Sequence, residues 1–88
     1  MAEYLLLGFV KDTFSLDGTL KIISKTDFAE KRYQKGKEIF LYSPKTKDRI
    51  TLTVVSFRKS GQFDFVKVEE INNVDEALQY KGYVIHAI

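Results

Sequence analysis

The chain has 88 residues, 44% of them hydrophobic and 14% aromatic, with a formal net charge of +2. That is enough apolar material for one core and too much for a disordered segment. It contains no cysteine, which excludes a disulfide framework or a thiolate metal site and fits a reducing cytoplasm. A single cytoplasmic, monomeric domain over residues 1–88 is expected.

Met1-Ala2-Glu3-Tyr4 lacks the basic start and small-residue cleavage pattern of a signal peptide. The apolar run that follows is broken by Lys11 and Asp12, well short of the ~20 residues a bilayer crossing needs, so no membrane association is expected. Glu3 to Val10, rich in Leu, Val and aromatics, predicts a strand with mostly buried sides that stops at Lys11-Asp12-Thr13. Gly18 marks a turn, and Thr19 to Ser24 predicts a second strand with Leu20 and Ile22 on one face and Lys21 on the other. Thr26 to Tyr33 shows no alternation; Thr26 or Asp27 would cap a single helical turn that Gly36 ends.

Lys37 to Ser43 alternates again, Ile39 and Leu41 opposing Phe40 and Tyr42, until Pro44 closes it and opens a basic hairpin loop to Asp48. Ile50 to Phe57 changes its facing set near Val54-Val55, as a β-bulge requires. Ser60-Gly61 predicts a hairpin turn into an antiparallel partner, Phe63 to Ile71, with Phe65 and Lys67 opposite Val66 and Val68. The period then changes. Val74, Ala77 and Leu78 follow helical spacing, Asn73 is placed to cap and Glu76 to answer it, so a two-turn helix is expected. Gly82 suits the left-handed residue that ends a helix, and Tyr83 to Ile88 predicts a last strand. Five or six strands with two short helical pieces must curl and close, because closure removes exposed edges. The reading is all-β, a small closed antiparallel barrel.

Catalytic chemistry is hard to find. His86 is the one histidine, read as an outward strand residue, so no triad can form around it. Glu69-Glu70 lie on opposite strand faces, and Asp75-Glu76 are first-turn acids that favour the helix dipole. Clusters at metal-ligand spacing are missing, and the five glycines form no phosphate-binding loop. No enzyme activity, metal or cofactor is expected. Charge is uneven: residues 37–59 hold six basic groups against two acidic ones, while residues 60–88 hold two against five. Lys35, Lys37, Lys45, Lys47, Arg49, Arg58 and Lys59, interleaved with Phe40, Tyr42 and Phe57, read either as a nucleic-acid surface or as a solvated strand face.

Residues in a fixed order resemble a known family: Gly8-Phe9-Val10, then Leu16-Asp17-Gly18-Thr19-Leu20-Lys21-Ile22, then Ser24-Lys25-Thr26-Asp27-Phe28, then Arg32-Tyr33 and Gly36. Leu52-Thr53-Val54 with Phe57-Arg58, and Asn73 to Gly82 with Glu76-Ala77-Leu78, continue it. The pattern resembles the N-terminal domain of the RimM family of ribosome maturation factors, over nearly the whole chain. It departs where the family loop has His-Gly, since Phe14-Ser15 stand before Leu16-Asp17-Gly18. A second, PRC-type barrel follows in the family where this chain reaches Ile88, so an isolated domain is expected.

The resemblance implies a six-stranded barrel with one or two short helices, like those of translation factors and flavin-reductase-like proteins. It implies binding without turnover in 16S rRNA processing and late assembly of the small subunit. Implied partners are the small ribosomal subunit, its head protein numbered nineteen and 16S rRNA. Lys25, Arg32, Lys35, Lys37, Lys45, Lys47, Arg49, Arg58 and Lys59 would contact phosphate. The alternatives are a general RNA-binding β-barrel and, from another class, a small flavin-binding barrel enzyme, against which the missing catalytic constellation argues.

Overall fold

Alternating apolar side chains organise residues 4–88, the part of the chain that the computed structural model describes, into six strands and two short helices. In chain order these are β1 (Leu5–Thr13), β2 (Leu20–Ser24), α1 (Ala29–Arg32), β3 (Glu38–Tyr42), β4 (Arg49–Ser60), β5 (Phe63–Val68), α2 (Val74–Leu78) and β6 (Val84–Ala87). The strands close in the order β1-β2-β5-β4-β3-β6, every neighbouring pair antiparallel. Closure pairs every strand on both sides, so no strand is left with an open edge.

The barrel interior is filled by cross-strand pairs. Val10 faces Ile22, Leu20 faces Val66, Val54 faces Val68, Ile39 faces Leu52 and Leu41 faces Ile85, all but fully buried. Each such side chain contributes roughly 1.5–3 kcal/mol by leaving water. Leu7 and Val10 both point inward, a spacing that plain alternation forbids. A register shift between Leu6 and Gly8 reconciles them, and a second falls just beyond, between Val10 and Asp12. Gly8 is required there, because a Cβ would stand 2.3 Å from the Ile23 carbonyl oxygen.

Several expectations hold. The bulge in β4 falls between Val54 and Ser56, the Ser60-Gly61 turn leads into β5, and Gly82 takes a φ of 89°. Asn73 caps α2 reciprocally: the Glu76 amide donates to its Oδ1 at 2.9 Å and its Nδ2 donates to Glu76 Oε1 at 3.0 Å.

Others need correction. The predicted start of the first strand at Glu3 lies outside the described residues. The strand also ends later than expected: β1 runs on through Lys11 and Asp12 to Thr13, because Asp12 and Thr13 pair with Lys21 and Leu20 in the hairpin to β2. Its sides are also less buried than expected, Leu5 and Leu6 being exposed. Neither Thr26 nor Asp27 caps α1; Phe28 holds the cap position with no side-chain bond, while Thr26 Oγ1 accepts from the Phe28 amide at 3.1 Å in the preceding turn. Finally, α2 has five helical residues and passes through a turn to Gly82.

Two ends and two outer faces result. α1 links β2 to β3 at the end that also holds the β4–β5 turn; the other end carries the β1–β2 and β3–β4 hairpins and α2.

Candidate nucleic-acid interface

Charge separates along the barrel axis. The α1 end carries Lys25, Lys31, Arg32, Lys35, Lys37 and Lys59 against Asp27, Glu30 and Glu38. The opposite end carries Lys11, Lys45, Lys47, Arg49, Lys67 and Lys81 against Asp12, Asp17, Asp48, Glu69, Glu70, Asp75 and Glu76. Among the described residues the one ion pair is Lys59 Nζ to Asp64 Oδ1, at 3.4 Å. The other cations of the α1 end therefore keep their charge for an outside partner.

At that end Lys31, Arg32 and Lys37 border one depression with Phe28, whose side chain is 59% exposed and lies 5.9 Å from Lys31 Nζ. Lys59 borders an adjoining depression with Thr26 to Lys31. The nine basic residues singled out from sequence thus do not share one surface. Lys25, Arg32, Lys35 and Lys37 gather around α1, and Lys59 lies beside them but is held by Asp64. Lys45 and Lys47 belong to the hairpin at the other end, and Arg49 and Arg58 lie against aromatic rings on separate faces of the barrel wall. Sequence reasoning passed over Lys31 and Phe28. The signal available was a basic pair, Lys31-Arg32, one helical turn after an aromatic set among Thr26, Asp27 and Glu30.

On the outer face of β6 and β3, the Arg49 guanidinium lies 3.8 Å from the Tyr4 ring centroid and 4.8 Å from that of Tyr42. His86 stacks on Tyr42 at 5.4 Å, and Tyr4 meets Phe40 edge-on at 5.7 Å. Burial first, and then the Arg49 charge, hold the His86 pKa below its ordinary value. The expectation that His86 points outward holds, but the tyrosines cover it.

On the outer face of β5 and β4, the Phe14 and Phe65 rings lie 4.4 Å apart, with the Arg58 guanidinium 5.2 and 5.3 Å from their centroids. Phe14 is 52% exposed. Its loop is braced by Asp17, whose pKa is lowered to about 2 by bonds from the Ser15 hydroxyl and then from the side chain and backbone of Thr19. Along the same face Lys21 Nζ sits 4.4 Å over the Phe63 ring.

Acidic residues that could have served acid–base chemistry are occupied structurally. Glu70 accepts from the amide and hydroxyl of Thr53, at 2.8 and 3.1 Å, and Glu76 completes the α2 cap. Asp64 points into the barrel, fully buried, near Tyr33, whose phenol pKa is raised by burial and then by the Asp64 charge. Among the described residues no helix is long and apolar enough to cross a membrane.

Comparison with known proteins agrees with this architecture. "Ribosome maturation factor RimM" of Streptococcus pyogenes is 34% identical over 83 residues, 94% of this chain and 48% of that protein. The proteins of the same name from Bacillus mycoides and Streptococcus pneumoniae are 35% and 36% identical, over 97% and 92% of this chain. The chain spans about half the length of these relatives. The crystal structure of a 16S ribosomal RNA processing protein RimM from Pseudomonas aeruginosa superposes with a TM-score of 0.82 at 19% identity, covering 98% of this chain and 51% of that one, and shows the same fold. The family model for the RimM N-terminal domain matches residues 5–87, and the chain belongs to that family.

Proposed function

We propose that this domain works in maturation of the small ribosomal subunit, binding the subunit head and 16S rRNA, with the head protein numbered nineteen as a protein partner, in the cytoplasm and without turnover. The observation that carries the reading is the α1 end, where Lys31, Arg32 and Lys37 border a depression with an exposed Phe28 and, like Lys25 and Lys35 of the flanking loops, stand without ion-pair partners among the described residues. Unpaired cations around a ring suit a phosphate backbone with an accessible base. The relatives' name and the family match supply the ribosomal context.

The mechanism is binding energy alone: phosphate contacts release counterions, and ordering or shielding rRNA follows from occupancy. Affinity then falls steeply with salt. Purified chain should be retained by small but not large ribosomal subunits at low salt and lost at moderate salt. Lys35→Glu combined with Lys37→Glu should weaken retention and lower the salt slope by about 2, one per phosphate contact removed. Retention of that double variant equal to the parent would place the contact elsewhere.

A further inference from the structure

We propose that the exposed face of Phe14, on the barrel wall beside Phe65 and Arg58, is a stacking site for an unpaired RNA base. The inference rests on the RNA-binding reading above and adds the chemistry of the segment recognised. Phe14 packs one side against Phe65 and leaves half its surface to solvent, while the Arg58 guanidinium stands within 5.3 Å of both centroids. Aromatic rings with an arginine beside them accept any base by its π-face, and the guanidinium offers charge to the adjoining phosphate.

The polar rim has a defined sense. Ser15, Thr19 and Ser56 border a depression with Phe14, Arg58 and Phe65. The hydroxyls of Ser15 and Thr19 both donate to the Asp17 carboxylate, which leaves their oxygen lone pairs as acceptors for a base amino group. Asp17 itself faces solvent in the loop, so its charge weighs against phosphate on that side and favours passage toward β5. There Phe63, two residues before Phe65, shows the same face, and Lys21 lies over it. Lys21 already covers the Phe63 ring at 4.4 Å, so Phe14 is the ring of this face left open to a base. A duplex, its bases already stacked, offers no free π-face, so the site selects unpaired RNA over paired.

The chain has no tryptophan, so Phe14→Trp puts a unique fluorophore in the site. Titrated with a single-stranded RNA and a duplex of equal length, the Phe14→Trp chain should show quenched emission with the single strand only. By anisotropy Phe14→Ala should lose roughly tenfold or more in single-strand affinity, with the loss confined to the single strand and the fold retained by circular dichroism. Unquenched emission, or Phe14→Ala binding the single strand as the parent does, overturns the stacking site. If neither RNA binds while small subunits are still retained, the stacking site falls and the maturation reading survives on protein contacts. If subunits are not retained either, both fall.

Discussion

The two aromatic walls of the barrel are made from the same kinds of residue and do different things. On the β6–β3 wall Arg49 approaches Tyr4 to 3.8 Å and Tyr42 to 4.8 Å, and His86 is stacked beneath. The cation lies close against both rings there, and although Tyr4 keeps 38% of its surface the wall is the more closed of the two. On the β5–β4 wall Arg58 stays more than 5 Å from both rings, and Phe14 keeps half its surface in water. That wall is open. Arginine beside aromatics is therefore no binding signal by itself; the distance and the ring surface left over decide whether it belongs to the fold or to a partner.

Breaking the ring that separates the walls has the largest effect. Gly8→Ala forces a Cβ to within 2.3 Å of the Ile23 carbonyl oxygen and 2.6 Å of Ile22 Cγ2, and should cost about 3 kcal/mol in chemical denaturation. Removing the closed wall's cation comes next: Arg49→Ala should cost about 1–2 kcal/mol, since it faces two rings at close range, and leave RNA affinity unchanged. The closed wall should also respond to acid. His86 has a folded pKa below its unfolded value of about 6.5. Both states are neutral above that value; as pH falls through it, the unfolded chain takes up a proton that the folded one refuses, and stability drops. Melting temperature measured from about pH 7.5 to 5.5 should decline more in the parent than in His86→Gln. The smallest stability change, about 0.5 kcal/mol, is expected for Arg58→Ala on the open wall, where RNA affinity should fall instead. Equal stability losses for Arg49→Ala and Arg58→Ala would erase the distinction.

Features encoded locally were legible in the sequence. The Asn73 and Glu76 cap, the bulge near Val54, the left-handed Gly82 and the inward set of Leu20, Ile22, Ile39 and Leu41 each depend on a few neighbouring residues, although Gly82 closes the turn after α2 and not the helix itself. What depends on closure was not. Lys11 to Thr13 read as a strand end because their partner strand cannot be seen from their own composition. Asp64 sits on the inward register of Val66 and Val68, but its acceptance there depends on Lys59 reaching it from the neighbouring strand. The candidate cations lie close in sequence but far apart in space, since β4 alone carries Arg49 at one terminus and Lys59 next to the other. The α1 residue Lys31 and the wall residues Phe14 and Lys21 gain their meaning only from the strands that come to lie beside them.

On the proposed reading the α1 end and the open wall meet rRNA while the closed wall does not. Titrating the isotope-labelled chain with an RNA fragment of the small-subunit head and following its amide resonances tests this residue by residue. The account predicts shifts at Lys31 to Lys37, Phe14, Arg58 and Phe65, with Tyr42 and His86 unmoved. Shifts centred on Tyr42 and His86, or none at all, would contradict it.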